Sequence, residues 1–360
     1  MSTLATLGMP EIVAGIMMIA LTVYALLGGA DFGGGVWDLL VRGPRREEAR
    51  ALVANAIGPI WEANHVWLIV VIVILFTAFP PTYALLGTLL HVPLSLMLLG
   101  IVLRGSAFVF RSYGARDDAA QRRWGRIFAV ASTITPVLLG VNVGAIVSGA
   151  VGEAATRLPR AGSGVGAPAA SFADLFLRPW LAPFPFAVGA LTLALFAFLA
   201  AVYLTVAARD AVLREDFRRR ALGAALAVFV TAFGALLLAR AQAPHVSAGL
   251  LGTGWALPFQ LATGGAAVIA IWGLWTRRWR TARVAAAAQT SLILWGWALV
   301  QFPFLVPTVH EIRGVAAPRV TLRLLLWGLA GGSLVLLPSL AYLFRTFAAA
   351  RDVPSEVTSH

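Results

Sequence analysis

The sequence predicts an all-α integral membrane protein with nine transmembrane helices. Of its 360 residues, 59% are hydrophobic and only 12% are charged, and the mean hydropathy is +0.84. A soluble domain carries about 25% charged residues, so this chain has about half the charge that covers a water-exposed surface. Apolar runs of about 20 residues, long enough to cross the hydrocarbon layer as a helix, recur along the chain. A soluble enzyme with one membrane anchor is therefore excluded.

Two residue types are missing, and their absence removes several kinds of chemistry. The chain has no cysteine, which excludes disulfides, thiolate-ligated haem, cysteine-bound iron–sulfur clusters and cysteine nucleophiles. It also has no lysine, since every basic residue is arginine. Phosphate loops and Schiff-base catalysis, which need a lysine amine, are excluded as well.

Hydropathy, loop charge and the positions of proline and glycine predict the spans in order. The first four spans are expected to form one four-helix bundle within residues 1–148, and an outer loop follows at 149–182 with a short amphipathic stretch at Ser171–Leu177. A second four-helix bundle is expected at 183–305, and residues 306–360 hold a peripheral ninth helix and a cytoplasmic tail. The nine spans are predicted at 9–31, 58–79, 83–103, 126–148, 183–206, 220–239, 256–275, 284–305 and 321–343.

The distribution of arginine predicts the orientation. Of the 28 arginines, 21 follow the odd-numbered spans and seven lie on the other side. Because cytoplasmic loops of membrane proteins concentrate arginine, we expect the N-terminus outside and the C-terminus in the cytoplasm. The first span has neither a basic leader nor an A-x-A cleavage site, so we expect it to be retained as a helix. The net charge of +12 is explained in this way, and nucleic acid is not an expected partner.

Three ionisable residues are predicted near the cytoplasmic ends of the first three spans. Asp31 is expected at the end of the first span, Glu62 near the start of the second and Arg104 at the end of the third. An acid or arginine inside a bilayer costs about 2.5 to 3.5 kcal/mol, so such residues commonly mark functional sites. His65 follows Glu62 by three residues and lies on the same helical face. Together they are candidates for a proton path.

Structural explanations stand beside this functional one. The acids and Arg104 can instead form an ion pair that fixes helix packing, and His65 can be a hydrogen-bonded core histidine. Gly29 and Gly33 have the spacing that lets helices approach closely, although glycines around Asp31 would also admit water.

A haem or metal site within this chain is not expected. A bis-histidine haem needs histidines at equal depth on facing helices. His65 and His91 are the candidates, and counting from the turn at Pro80 and Pro81 puts them at depths about 7 Å apart. His245 and His310 fall in predicted outer loops.

Several motifs resemble subunit II of the cytochrome bd quinol oxidases. The resemblance covers nearly the whole chain, including its length and its nine predicted spans. The motifs are Gly29–Leu40 (GADFGGGVWDLL), Ile57–Leu68 (IGPIWEANHVWL), Phe79–Tyr83 (FPPTY), Leu103–Arg111 (LRGSAFVFR) and Gln301–Pro307 (QFPFLVP).

The resemblance implies a haem-free subunit of a complex in the bacterial cytoplasmic membrane. Haems b and d and the quinol site would belong to the haem-bearing subunit I, and this chain would bind no cofactor alone. Lipid or quinone and small single-span subunits are further possible partners. The family picture also implies a cytoplasmic proton path for the reduction of oxygen to water. It would run through Glu62 and Asp31, with His65 and Arg104 beside them and Trp61 and Asn64 as support.

Two other functions remain open on the sequence. A stand-alone proton-coupled transporter would use its buried acids and proline-interrupted helices, at Pro136 and Pro303, as a substrate site. A scaffold subunit would hold haem in its partner without carrying protons.

Overall fold

The computed structural model describes residues 8–113, 118–158 and 170–352. These ranges are almost wholly helical, with one short two-stranded β-ribbon near the end of the chain. The elements in chain order are α1 (Met9–Leu40), α2 (Arg46–Ala78), α3 (Pro80–Leu89), α4 (His91–Tyr113), α5 (Asp118–Val147), α6 (Ala150–Thr156), α7 (Phe172–Phe176), α8 (Pro183–Ala207), α9 (Ala211–Gln242), α10 (Pro244–Gly252), α11 (Ala256–Trp275), α12 (Trp279–Gln301), β1 (Phe304–Val306), β2 (His310–Glu311) and α13 (Arg319–Asp352).

The predicted multi-pass helical fold is confirmed. Within the described ranges, eight helices are long and apolar enough to cross a membrane, and a ninth span is formed if α2 and α3 count as one bent segment. The axis turns by 116° between these two helices, at Phe79. Two prolines follow that residue, and neither can donate the backbone hydrogen bond that would continue α2. Because α3 occupies residues 80–89, the third span begins at His91 and not at residue 83 as predicted.

Two helices are longer than the sequence suggested. Helix α1 continues beyond Asp31 to Leu40, and α4 continues beyond Arg104 to Tyr113. Asp31 and Arg104 therefore lie inside helices, and their place near the cytoplasmic ends of the membrane spans stays a prediction. The glycine-rich part of α1 stays helical because tertiary packing holds it. A methyl group at Gly33, for example, would overlap the carbonyl oxygen of Phe196 on α8.

Helix α8 lies at the centre of the protein. Its residues 194–202 are all buried, and it packs against α1, α5 and α9. Helix α12 also contacts α8, and α11 packs on α12. Since α5 and α8 pack directly on each other, the two halves share a continuous core, and the division into two four-helix bundles stays a prediction. Helix α13 contacts α2 and α1 and buries Leu322, while most of its other side chains are exposed.

The connections fall at two ends of the helices. We call the end that holds the α1–α2, α4–α5, α8–α9 and α11–α12 turns the Arg-rich end. Arg45 and Asp210 join two of these turns with a 3.1 Å ion pair. At the opposite end the β-ribbon covers the α2–α3 break, where His310 Nδ1 lies 3.0 Å from Thr82 Oγ1. Arg313 binds the buried carboxylate of Glu11, the third residue of α1.

Candidate functional site

An ion pair between α1 and α4 forms the centre of the site. Asp31 is 0% exposed and Arg104 is 1% exposed. Arg104 Nη2 donates to Asp31 Oδ1 and, at 3.2 Å, to the Asp31 carbonyl oxygen. Arg104 Nε donates to Ser132 Oγ on α5 at 3.0 Å. We call Asp31 and Arg104 the inner pair.

Aromatic rings enclose the guanidinium group of the inner pair. Arg104 Cζ lies 4.6 Å from the centroid of the Phe32 ring and 5.1 Å from that of Phe128. Such contacts favour a cation that has lost its hydration shell. A buried ion pair is costly to desolvate and becomes tolerable only when further contacts satisfy both ions. Arg104 meets this condition with the carboxylate, the carbonyl oxygen, Ser132 and two ring faces.

The carboxylate of the inner pair is less completely satisfied. Asp31 Oδ2 is buried without a hydrogen-bond partner among the described residues, and the same holds for both side-chain polar atoms of Asn64. Asn64 packs against α1 at Gly28. A Cβ at Gly28 would lie 3.2 Å from Asn64 Nδ2, which is a tight contact, so the missing side chain makes room for the amide. Gly28 precedes Asp31 by one helical turn, so these polar atoms face the same part of the interface. Leaving one such group dry costs about 1 to 3 kcal/mol, which favours a bound water here.

A second buried acid lies nearer the Arg-rich end and was missed by the sequence analysis. Asp38 is 1% exposed, and its carboxylate contacts Arg111 Nη1 at 3.1 Å and Arg50 Nε at 3.3 Å. Arg50 Nη2 also donates to the Asp38 carbonyl oxygen at 3.1 Å. We call Asp38, Arg50 and Arg111 the Asp38 cluster.

The inner pair and the Asp38 cluster repeat one geometry. Asp31 and Asp38 are seven residues apart on α1, and Arg104 and Arg111 are seven apart on α4. Both acid–arginine contacts therefore join residues separated by 73 positions. Seven residues make about two turns, so each pair of like residues shares a helix face. The double spacing was the signal available in the sequence.

The other predicted site residues lie on α2. The side chains of Trp61 and Glu62 lie outside the part of the structure that can be described, while their backbone belongs to α2. The Gly28–Asn64 contact sets the antiparallel register of α1 and α2, which puts the backbone of residues 61 and 62 at the depth of Asp31. His65 is half-buried beside Asn64, and the charges of Asp31 and Arg104 act on its ring.

The described histidines do not form a haem-ligand pair. His65 lies within α2, whereas His91 begins α4, donates its Nδ1–H to the Thr88 carbonyl oxygen and packs on Phe176. His310 pairs with Thr82, and His245 lies near Gly149. In the described ranges no three His, Cys, Asp or Glu side chains are grouped as metal ligands. The described histidines therefore do not fit a bis-histidine haem.

The sequence as a whole matches a known family. The family described as cytochrome bd terminal oxidase subunit II matches residues 9–347. This chain belongs to that family. The sequence resemblance carried by the motifs is thereby confirmed.

Individual relatives of the bd subunit II family agree with this assignment. The chain is 37% identical over 119 residues to cytochrome bd ubiquinol oxidase subunit 2 of Bacillus subtilis, covering 33% of this chain and 34% of that one. It is 28% identical over 138 residues to cytochrome bd-I ubiquinol oxidase subunit 2 of Escherichia coli K12, covering 38% and 35%. These alignments span about a third of the length of the curated relatives.

A solved structure shows the same fold. The bd oxidase from Geobacillus thermodenitrificans contains a chain that matches with a TM-score of 0.75 at 22% identity, covering 94% of this chain and 98% of that one. Family membership argues against a stand-alone transporter, and so does the helix geometry. Helix α5 runs without a break through Pro136, and α12 ends at Gln301 before Pro303.

Proposed function

We propose that this chain is the haem-free subunit of a respiratory cytochrome bd-type quinol:oxygen oxidoreductase. It supports a haem-bearing subunit I and supplies a proton path for the reduction of oxygen to water. Family membership supports this proposal, as do the relatives described as subunit 2 of ubiquinol oxidases. In such a complex, haems b and d in the partner transfer electrons from quinol to oxygen.

We further propose that the Arg-rich end faces the cytoplasm of a bacterium, with the N-terminus outside and the C-terminus inside. The arginine asymmetry of the sequence supports this orientation. Protons would then enter from the cytoplasm at the Arg-rich end. The charges consumed in oxygen reduction would thus cross part of the bilayer, which generates a membrane potential without a separate pump.

The observation that supports the proton role is the buried Asp31 carboxylate, one oxygen of which has no hydrogen-bond partner among the described residues. Asp31 Oδ1 is held by Arg104, while Oδ2 is left to bind water or a proton. In this proposal Arg104 holds the Asp31 carboxylate in place, Ser132 orients Arg104, and Asn64 holds water against α1. Glu62, supported by Trp61, and His65 extend the path along α2 at the same depth.

Purification of a tagged chain from its native membranes tests the complex. We expect a haem-bearing partner, a reduced-minus-oxidised spectrum with b- and d-type bands, and quinol-dependent oxygen uptake. A colourless single polypeptide without oxygen uptake would overturn the proposal and return the transporter to first place.

The Glu62→Gln variant tests the path within that complex. We expect unchanged assembly and haem content with slower oxygen uptake at saturating quinol, by about 10²-fold, the lower end of what a positioned proton-transfer group contributes. Full turnover would remove Glu62 from the path. Loss of haem would instead favour the scaffold function, for which a buried ion pair that fixes packing is the supporting observation.

A further inference from the structure

The Asp38 cluster connects the solvent at the Arg-rich end with the buried interior. Arg50 and Arg111 are about one quarter exposed, with side-chain exposures of 28% and 24%, while the carboxylate that they share is 1% exposed. The arginines come from α2 and α4 and the acid from α1, so three helices meet at this point. The two partly exposed guanidinium groups therefore separate this buried carboxylate from the solvent.

A cavity lies directly against this cluster. It measures about 30 Å³ and is lined by Asp38, Arg50, Arg111 and the side chains of Val53, Ala54, Phe108 and Phe128. One water needs about 10 to 15 Å³ of such space and two or more polar partners. The Asp38 carboxylate and the two guanidinium groups supply those partners.

The far wall of the cavity leads to the inner pair. Phe128 lines the cavity, and its ring also lies against the Arg104 guanidinium, with 5.1 Å from Cζ to the ring centroid. Between the two acids, α1 carries Gly35, where an added methyl would overlap Ser132 Oγ. The Ser132 hydroxyl therefore lies between Asp31 and Asp38, which are separated by about 10 Å along the helix. A water bound in the cavity, together with this hydroxyl, would divide that distance into shorter steps.

We propose that Asp38 is the proton-loading carboxylate of this subunit and that it feeds the inner pair through the cavity water and Ser132. The inference rests on the proposed proton path and adds its entrance. A proton from solvent binds the Asp38 carboxylate, and the same number of protons is released toward Asp31. Both arginines remain charged, and no other bond is made or broken.

Three variants of the purified complex test this role. We expect Asp38→Asn to retain haem and to lower oxygen uptake at saturating quinol by about 10²-fold, as expected for removal of a proton-transfer group. We expect Asp38→Glu to recover most of the rate. Asp216→Asn is the matched control, because Asp216 is half-exposed at the same end and its contact with Arg220 is long, at 3.7 Å. We expect this variant to leave the rate of oxygen uptake unchanged.

A charge-balanced variant separates proton loading from ion pairing. Asp38→Asn alone leaves two arginines without their carboxylate, whereas Asp38→Asn with Arg111→Gln removes one charge of each sign. We expect the double variant to assemble and to stay slow, with a larger ratio of rates in H2O and D2O than the wild type. A double variant with wild-type rate and isotope ratio would show that Asp38 is only a counter-ion, and the inference would be wrong.

The inner pair provides the comparison that separates the two proposals. If Asp31→Asn with Arg104→Gln is slow while the Asp38 variants run at full rate, the proton path stands and only its proposed entrance fails. If the inner-pair variant runs at full rate with haem intact, the proton path itself fails and the entrance fails with it.

Discussion

The first third of the chain and the helices that follow it use charge differently. Among the described residues, the buried charged side chains are Glu11, Asp31, Asp38 and Arg104, and all four precede residue 114. Later helices place their charges at helix ends, as in the contact of Arg218 with Glu215 on α9. Their outward faces carry large apolar side chains such as Leu226, Phe229, Leu257, Leu261, Trp275, Val320, Leu324, Trp327 and Leu334.

Buried charges are thus confined to the first third, whereas the later helices present apolar side chains on their outward faces. Apolar surface toward lipid or a partner subunit costs nothing in a bilayer, whereas a buried charge is costly unless it is paired. The chain accepts that cost at the inner pair and the Asp38 cluster, which the packing of α1, α2, α4 and α5 brings together. Variants of these residues and of their surface counterparts measure how much the buried charges and close helix contacts contribute to stability.

The largest effect on stability is expected from Arg104→Ala. Removing this guanidinium leaves Asp31 as an uncompensated buried charge, which costs about 3 to 5 kcal/mol. We expect a clear loss of thermal stability or of assembled complex. Arg219→Ala is the control, because Arg219 is 75% exposed and its 3.8 Å contact with Glu215 is weak. Equal stability of the two variants would show that the inner pair contributes no more than a surface contact.

The next effect is expected where α1 and α8 approach most closely. Gly33→Ala puts a methyl group against the Phe196 carbonyl oxygen, a backbone atom that cannot rotate away. Overpacking of this kind costs about 1 to 3 kcal/mol. Gly15→Ala on the same helix is the matched control, since its added methyl would have no neighbour within 4 Å. Denaturation of both variants in one detergent gives the comparison, and equal midpoints would contradict the close contact.

A smaller effect is expected at the opposite end of α1. Glu11 is buried and bound by Arg313, which is 56% exposed on its side chain. Solvent screens such a pair, so we expect Arg313→Gln to cost about 1 kcal/mol or less. Limited proteolysis of the loop around the β-ribbon should accelerate, because this contact ties the loop to α1. Unchanged cleavage would show that the other contacts hold the loop alone.

The smallest effect is a pH dependence at the start of α9. The backbone N–H groups of Leu213 and Val212 donate to Asp210 at 2.8 Å, and these bonds with the nearby Arg45 hold the pKa of Asp210 below its ordinary value of 3.8. Because the folded pKa is lowered, the stabilisation is present above pH 3.8 and is lost as the pH falls through the folded pKa. In the wild type we expect the start of α9 to fray at acid pH, which is seen as faster amide exchange at Val212 and Leu213. Asp210→Asn should show no such increase in exchange as the pH falls. An identical acid response in both proteins would contradict the assignment.

The sequence predicted the fold class and part of the site. Composition and recurrent apolar runs determine a helical membrane protein almost by themselves. The sequence placed Asp31 and Arg104 in one layer, whereas their direct contact is known only from the packing of α1 against α4. Asp38 was missed because the first span was ended at residue 31, which placed the glycine-rich stretch and the acid in a loop. Glycine disfavours a helix locally, but contacts such as Gly33 with α8 reverse that preference, and a single sequence does not reveal those contacts.

Other features depend on tertiary geometry in a similar way. The prolines after Phe79 indicated a turn, yet the sequence did not show that a crosswise helix of ten residues would follow it. The roles of Glu62 and Trp61 in the proton path stay predictions, because only the helical backbone of these two residues is described. The spacing of seven on both α1 and α4 was visible in the sequence. It acquires meaning only when α1 and α4 are known to run in the same direction with a constant offset.

The most direct test of the central claim is oxygen uptake per haem in a purified complex that carries Asp31→Asn with Arg104→Gln. This double variant keeps the net charge of the interior and removes both members of the inner pair. We predict a wild-type haem spectrum with oxygen uptake lowered by about 10²-fold at saturating quinol. A wild-type spectrum with wild-type uptake would contradict the claim and leave the inner pair as a packing element only.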